Sequence, residues 1–163
     1  MKKWPYMLFI SAALLGVNGA WADNAAKIQL VKKIHKEGQF LKYADPELKK
    51  IARQGDKIAR QVDELGCEMV EHYYLGESNG DLNDSPAIQK HKVTVMPNGW
   101  VRSRYMFHGV EPRDIRFDLA CTGKRCVVRD VVNRDVFTDD GHQGSFKRRF
   151  QYIIKHKRCP AWT

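Results

Sequence analysis

The sequence has no apolar run long enough to cross a membrane and no standard catalytic motif. Its apolar stretch at Met7–Leu15 covers about nine residues, whereas a spanning helix needs roughly 20. The histidines lack the metal-binding spacings H-x-x-x-H and H-E-x-x-H. His35 lies beside the apolar side of a predicted helix, where a hydrogen-bonded or exposed histidine is commoner than a metal ligand. The serines lack a nucleophile-elbow context, and the glycine loop that cradles phosphates is absent. We therefore predict neither a metal site nor a cofactor.

The N-terminus has the pattern of a bacterial secretory signal peptide. Lys2 and Lys3 precede the apolar stretch, and Ala20-Trp21-Ala22 supplies the small-x-small cleavage pattern. No cysteine follows the predicted cut, so we expect no lipid anchor. The sequence predicts a cleaved segment, residues 1–22, and a single periplasmic or secreted domain, residues 23–163, which is soluble after cleavage.

Acidic residues are in short supply, with 19 against 28 basic ones and a formal net charge of +9. Loss of Lys2 and Lys3 with the signal segment would lower this charge to +7. A basic domain attracts anionic partners at long range. In an exported protein these would be an acidic protein or an anionic envelope component. Nucleic acid is disfavoured, because that compartment normally contains little of it.

All four cysteines lie in the predicted mature domain, and an even number in an exported chain indicates two disulfides. Four cysteines allow three pairings. Cys121 and Cys126 flank residues 122–125, a predicted hairpin loop, so they can face each other across antiparallel strands. This pattern favours Cys121–Cys126 and leaves Cys67 with Cys159. A metal site is the rival interpretation, but C-x4-C differs from the usual C-x2-C spacing.

Helices are predicted at both ends of the mature domain. Residues 25–37 place apolar side chains on one side and lysines on the other. A second helix begins at the N-cap Asp45 with Pro46 in its first position. Gly55 lies inside its apolar pattern and indicates a kink or a close approach. Ser145 is the predicted N-cap of a short last helix.

Alternating sequences between these helices predict four strands. The predicted strands are His91–Met96, Trp100–Phe107, residues 115–121 and residues 126–132. Pro97-Asn98-Gly99 is a strong turn signal between the first two. The order of elements predicts an α+β domain with N-terminal helices packed on one face of a curved antiparallel sheet.

Three segments of the chain carry a resemblance to a known group of domains and occur in the order typical of that group. They are Tyr43–Leu48, Asp81–Asp84 and Cys126–Val131. They resemble a group of small periplasmic domains of unknown function with a nuclear transport factor two-like (cystatin-like) fold. In that group a strand ending in aromatic-x-Ile-x-Asp-Ile precedes a loop and a short final helix. Here Asp130 and Val131 match the end of the pattern, and Cys126 stands where the aromatic residue usually stands. The resemblance implies a cone-like fold and no particular activity.

Asp130 is the candidate catalytic residue. With the hairpin closed by its predicted disulfide, Phe117 lies opposite Asp130, and the carboxylate falls on the apolar face. Buried carboxylates often act as acids or bases. The candidate companions are Tyr73, Tyr74, Tyr105 and His72. The alternative interpretation is a structural aspartate that accepts hydrogen bonds near a strand end.

Basic residues form a second candidate site. Arg102 and Arg104 alternate on a strand beside Trp100, and Trp and Arg are favoured interface anchors. Lys147 and Arg148 lie on the polar side of the last helix. The alternative interpretation of such clusters is a solvated surface.

These features support two functional hypotheses. The first is a non-catalytic periplasmic binding domain that docks an acidic protein, as an immunity or inhibitor protein or an envelope adaptor would. The second is a small pocket enzyme or ligand carrier that uses Asp130 with nearby Tyr or His side chains. The second predicts a closed apolar cavity with Asp130 at its wall.

Overall fold

The computed structural model describes residues 15–62, 71–76, 88–109, 111–133 and 144–160. The elements in chain order are α1 (Leu15–Glu37), a 3-10 turn (Leu41–Tyr43), α2 (Pro46–Val62), α3 (Glu71–Tyr74), β1 (Ile88–Val95), β2 (Val101–Phe107), β3 (Glu111–Thr122), β4 (Arg125–Asn133) and α4 (Phe146–His156). The predicted α+β class is confirmed. Its cone-like curvature remains a prediction.

Helix α1 begins at Leu15 and continues through the predicted cleavage site at Ala22. Its described side-chain contacts come from Lys27 onward, after that site. Lys27 Nζ donates to the carbonyl of Gly99 at 3.1 Å, in the turn before β2. Among the described residues, none of the helices combines the length and the apolar character that crossing a membrane requires. The signal peptide remains a prediction.

The four strands form one antiparallel sheet in the order β1-β2-β3-β4. The disulfide Cys121–Cys126 closes the β3–β4 hairpin, as predicted. This is one described disulfide where the sequence predicted two. No cysteine is free in the described part of the chain. Cys67 lies outside the described residues, so its bond with Cys159 remains a prediction.

A bulge in the β3–β4 pair corrects the predicted register. The shift lies between Asp118 and Leu119, on the side of the hairpin away from the disulfide. Val131, rather than Asp130, therefore lies opposite Phe117, and Asp130 lies opposite Asp118. Because side chains alternate between the two faces, a single extra residue moves the next ones to the other face. The prediction that Asp130 lies on the apolar face opposite Phe117 is wrong.

The inner face of the sheet packs against α1, which contacts all four strands. On β2 the residues alternate as predicted, with Val101, Ser103, Tyr105 and Phe107 buried and Arg104 exposed. The core includes Val31, Ile34, Phe40, Leu48, Tyr74, Tyr105, Ile115, Phe117, Phe146, Phe150 and Ile153.

Helices α2 and α4 pack against each other at the β4 edge of the sheet. Asp45 Oδ1 accepts from the backbone N–H of Leu48 at 2.7 Å, which confirms the predicted N-cap of α2. Ser145 Oγ accepts from the N–H of Arg148 at 3.1 Å, which confirms that of α4. A Cβ at Gly55 would lie 1.9 Å from Phe150 Cδ1. The glycine therefore marks a close approach of the two helices.

Candidate functional site

The outer face of the sheet carries basic side chains from three neighbouring strands. On β2, Arg102 and Arg104 alternate with the buried residues and so point away from α1. Lys92 of β1 pairs with Arg104, and Arg116 of β3 pairs with Arg102. We call Arg102, Arg104 and Arg116 the arginine cluster. Antiparallel pairing places these side chains close together on one face.

Asp114 of β3 is the carboxylate at the centre of the arginine cluster. Arg102 Nε donates to its two oxygens at 2.9 and 3.1 Å, and Arg102 Nη2 donates to Oδ2 as well. Arg116 Nε lies 4.0 Å from Asp114 Oδ1. The hydrogen bond from Arg102 lowers the pKa of Asp114, burial opposes this, and the charges of Arg102, Arg116 and Arg104 lower it further. Asp114 is thus held ionised.

The cluster has more cationic groups than Asp114 can neutralise. Arg102 is committed to Asp114 by paired hydrogen bonds, a geometry that fixes a guanidinium strongly. Arg104 is exposed and forms no ion pair among the described residues. Arg116 Nε is buried and has no hydrogen-bond partner in the same part of the chain. The exposed guanidinium of Arg104 suits a second carboxylate, because guanidinium groups match carboxylate geometry.

The residues predicted to bind a partner fall in two separate places. Trp100 is half-buried immediately before β2, where its backbone N–H donates to Asn98 Oδ1 at 3.2 Å. Lys147 Nζ instead pairs with Glu47 of α2 at 2.9 Å, which ties the first turns of α4 and α2 together. Arg148 is exposed on α4. The sheet face therefore gathers Arg102 and Arg104, whereas Lys147 is engaged by another helix.

Sequence reasoning missed Asp114 and Arg116 as parts of this site. Both alternate with buried residues on β3, and that signal placed them on the polar face. Their meeting with Arg102 depends on the β2–β3 register, which pairs Arg102 with Arg116. Nothing in the local sequence specifies that register.

Asp130 connects β4 to the start of α4. Its carboxylate accepts from the hydroxyl of Ser145 at 2.6 Å and from the backbone N–H groups of Lys147 at 2.9 Å and Val131 at 2.8 Å. Burial raises the pKa of Asp130, and these three hydrogen bonds oppose the rise. All these partners are groups of β4 and α4. The contacts are those of a structural anchor.

The tyrosines proposed as companions of Asp130 make other contacts. Tyr105 Oη donates to the carbonyl of Leu75, and the Tyr74 ring packs on Phe146 at 5.0 Å between centroids. Asp130 forms no hydrogen bond with a tyrosine in the described part of the chain. The side chain of His72 lies outside the described residues. The carboxylate and its proposed companions therefore do not form one described cluster.

A pocket of about 600 Å³ lies along the first turns of α2, and Asp130 is not among its lining residues. The pocket is lined by Ala44, Pro46, Lys49, Lys50, Arg53 and Gln54. The predicted closed apolar cavity with Asp130 at its wall therefore remains a prediction.

Comparison of the chain with protein-family models, curated proteins and solved structures finds no match. Within the described ranges, no three His, Cys, Asp or Glu residues are grouped so that they could hold a metal ion. The geometry of the arginine cluster is therefore the basis of the proposed function.

Proposed function

We propose that the protein is a non-catalytic binding domain whose outer sheet face docks an acidic protein. The observation that carries this proposal is the arginine cluster around Asp114, with Lys92 on the adjacent strand. One carboxylate faces three guanidinium groups, so the surface has a positive excess. Positive surfaces steer acidic partners and select against basic ones.

The sheet also supports the proposal mechanically. The three arginines project from the adjacent strands β2 and β3, so their backbones are fixed relative to one another. Asp114 holds Arg102 in one orientation, which reduces the entropy that binding must remove. Trp100 adds a half-buried aromatic side chain immediately before β2. A pre-ordered basic face of this kind suits docking rather than chemistry.

The proposed location is the periplasm or the extracellular space. The signal pattern at residues 1–22 and the Cys121–Cys126 disulfide support it, because disulfides persist in oxidising compartments. An immunity or inhibitor protein, or an envelope adaptor, would work there by binding alone. The second disulfide, Cys67–Cys159, and the cone-like fold of the nuclear transport factor two-like group belong to the same proposal.

The alternative function, a pocket enzyme or ligand carrier built on Asp130, has less support. The carboxylate is occupied by three hydrogen bonds that fix the start of α4. The pocket along α2 is lined by other residues. Geometry thus favours the arginine cluster over Asp130 as the functional site.

A charge-reversal pair tests the docking face. The probe is a fluorescein-labelled peptide of six glutamates, and fluorescence anisotropy at low salt gives its affinity. We expect Arg104→Glu to weaken binding about tenfold, because it places a carboxylate beside Asp114 and removes an available donor. Lys124→Glu makes the same charge change at an exposed position in the β3–β4 turn. It should weaken binding less than about threefold.

The removal of Asp114 provides the opposite change in the same assay. Asp114→Asn releases Arg102 and should tighten peptide binding, at a stability loss of no more than about 1 kcal/mol for a partly exposed pair. Asp56→Asn breaks the exposed α2 pair with Arg60 and is the matched control. Equal effects of Asp114→Asn and Asp56→Asn, or of Arg104→Glu and Lys124→Glu, would show that peptide binding depends only on net charge. That result would contradict the proposed docking face.

A further inference from the structure

One buried hydroxyl joins α1 to two strands of the sheet. Ser103 of β2 is fully buried, and its Oγ lies 2.9 Å from Nε2 of His35 on α1. The same Oγ lies 2.9 Å from Nε2 of His91 on β1. The His35 and His91 rings meet edge to face with centroids 4.9 Å apart. This cluster is separate from the arginine cluster, since Ser103 faces inward and its neighbours on β2 face outward.

Counting protons assigns the two tautomers. A hydroxyl has one proton, so Ser103 can donate to only one imidazole and must accept from the other. His35 Nδ1 is buried and has no hydrogen-bond partner among the described residues. An unpaired acceptor is less costly there than an unpaired N–H donor. His35 therefore donates through Nε2 to Ser103, and Ser103 donates to Nε2 of His91.

The surroundings of the cluster disfavour charge. The rings of Tyr105 and Phe117 contact His35 edge to face at 5.4 and 5.7 Å, and Tyr105 lies 5.8 Å from His91. Burial, with a smaller effect of His91, lowers the pKa of His35 from 6.5 to about 3. The pKa of His91 is lowered as well, mainly by burial and to a smaller extent by the charge of Lys32 on α1. No carboxylate of the described residues counters these effects.

We propose that the His35–Ser103–His91 chain is an acid-sensitive latch, which holds α1 on the sheet while both imidazoles are neutral and releases α1 when they are protonated. A proton on Nε2 of His91 removes the acceptor of the Ser103 hydroxyl. A second proton, on His35, places two cations in contact within an apolar interior. Release of α1 brings both imidazoles into water and relieves both effects.

The direction and the size of the pH effect on α1 opening follow from proton linkage. The released state binds a proton more tightly, so acid favours release as the pH falls from 6.5 towards the packed-state value of about 3. For His35 alone, the opening equilibrium should be roughly 70-fold larger at about pH 4.5 than at about pH 7. Since His91 acts in the same direction, its contribution adds to this change.

Amide hydrogen exchange tests the latch on the full chain. After correction for the intrinsic pH dependence of exchange, opening at the amides of Val31 and Ile34 in α1 should rise roughly 70-fold between those two pH values. Opening at Ile115 and Phe117 in β3 should change far less. The double variant His35→Gln/His91→Gln keeps polar groups that do not titrate, and should reduce the rise on α1 to less than about fivefold.

The exposed histidines supply the matched control. His108→Gln/His156→Gln replaces two exposed imidazoles outside the latch and should behave as the wild type does. If the latch variant does not fold, the wild type alone decides, through the difference between the pH-dependent opening of α1 and that of β3. The latch is wrong if His35→Gln/His91→Gln keeps the full rise on α1, or if β3 opens together with α1.

Discussion

Replacing Gly55 with Ala is expected to lower the free energy of unfolding by about 1–3 kcal/mol, although Ala is the better helix former by about 1 kcal/mol. The new methyl group would lie 1.9 Å from Cδ1 of Phe150 and 2.9 Å from Cε1. Phe150 is 2% exposed and packed among core side chains, so its ring has no free space to enter. Overpacking in the α2–α4 contact therefore outweighs the gain in helix propensity. Urea unfolding followed by circular dichroism measures the change.

A double-mutant cycle isolates the Gly55–Phe150 contact. Phe150→Leu removes the ring atoms closest to Gly55, so Gly55→Ala in that background should lose at least half of its destabilising effect. Gln54→Ala changes an exposed neighbour on the same helix and should shift stability by less than about 0.5 kcal/mol. A neutral or stabilising Gly55→Ala in the wild-type background would show that the close approach of α2 and α4 is wrong.

Asp130→Ala is the second variant for which a large loss is expected, about 2–3 kcal/mol of unfolding free energy. The substitution leaves the Ser145 hydroxyl and the N–H groups of Lys147 and Val131 without their acceptor. It also removes a negative charge from the N-terminal end of α4, where the helix dipole favours one. Asp130→Asn keeps one carbonyl oxygen and should lose about half as much. Thermal or urea unfolding gives both values.

Asp118 provides the matched control for Asp130. It is the carboxylate directly opposite on β3, and it pairs at 2.7 Å with Arg129, whose side chain is 51% exposed. Asp118→Ala should therefore reduce stability by less than about 1 kcal/mol. If Asp130→Ala matched this small effect, the anchor would be wrong and the pocket hypothesis for Asp130 would gain support.

Local signals in the sequence were sufficient for most element boundaries. Asp45 and Ser145 were predicted as N-caps and bond to Leu48 and Arg148 as caps do. The turn at Pro97–Gly99 joins β1 to β2 as predicted. Each of these features depends on residues within four positions of one another, so the sequence alone contains the information.

Features that depend on distant residues were predicted less well. The bulge beside Asp118 moved Asp130 from the predicted apolar face to the start of α4, and an unpaired residue in a strand has no local signature. From the sequence, Gly55 indicated either a kink or a close approach, and its contact with Phe150 of α4 favours the close approach. His35 was recognised beside an apolar helix side, but its partner Ser103 lies 68 positions away.

The candidate site divides in the same way. Alternation placed Arg102 and Arg104 on the polar face of β2, and the structure has Arg104 exposed. Lys147 followed the same polarity rule on α4, yet it pairs with Glu47 of α2. Helical periodicity identifies a polar side and does not show which helix packs beside it. Pairing between elements decides which cations are available to a partner.

The most direct test of the docking proposal is a titration of the isotope-labelled oxidised protein with the six-glutamate peptide, followed by backbone amide NMR. Three basic surfaces compete in this experiment: the arginine cluster, the α2 pocket with Lys49 and Arg53, and α4 with Arg148. We predict that the largest shift changes fall on β2 and β3 around Arg104 and Arg116, and that they shrink in Arg104→Glu. Changes centred on α2 or α4, with the sheet amides unmoved, would contradict the proposal.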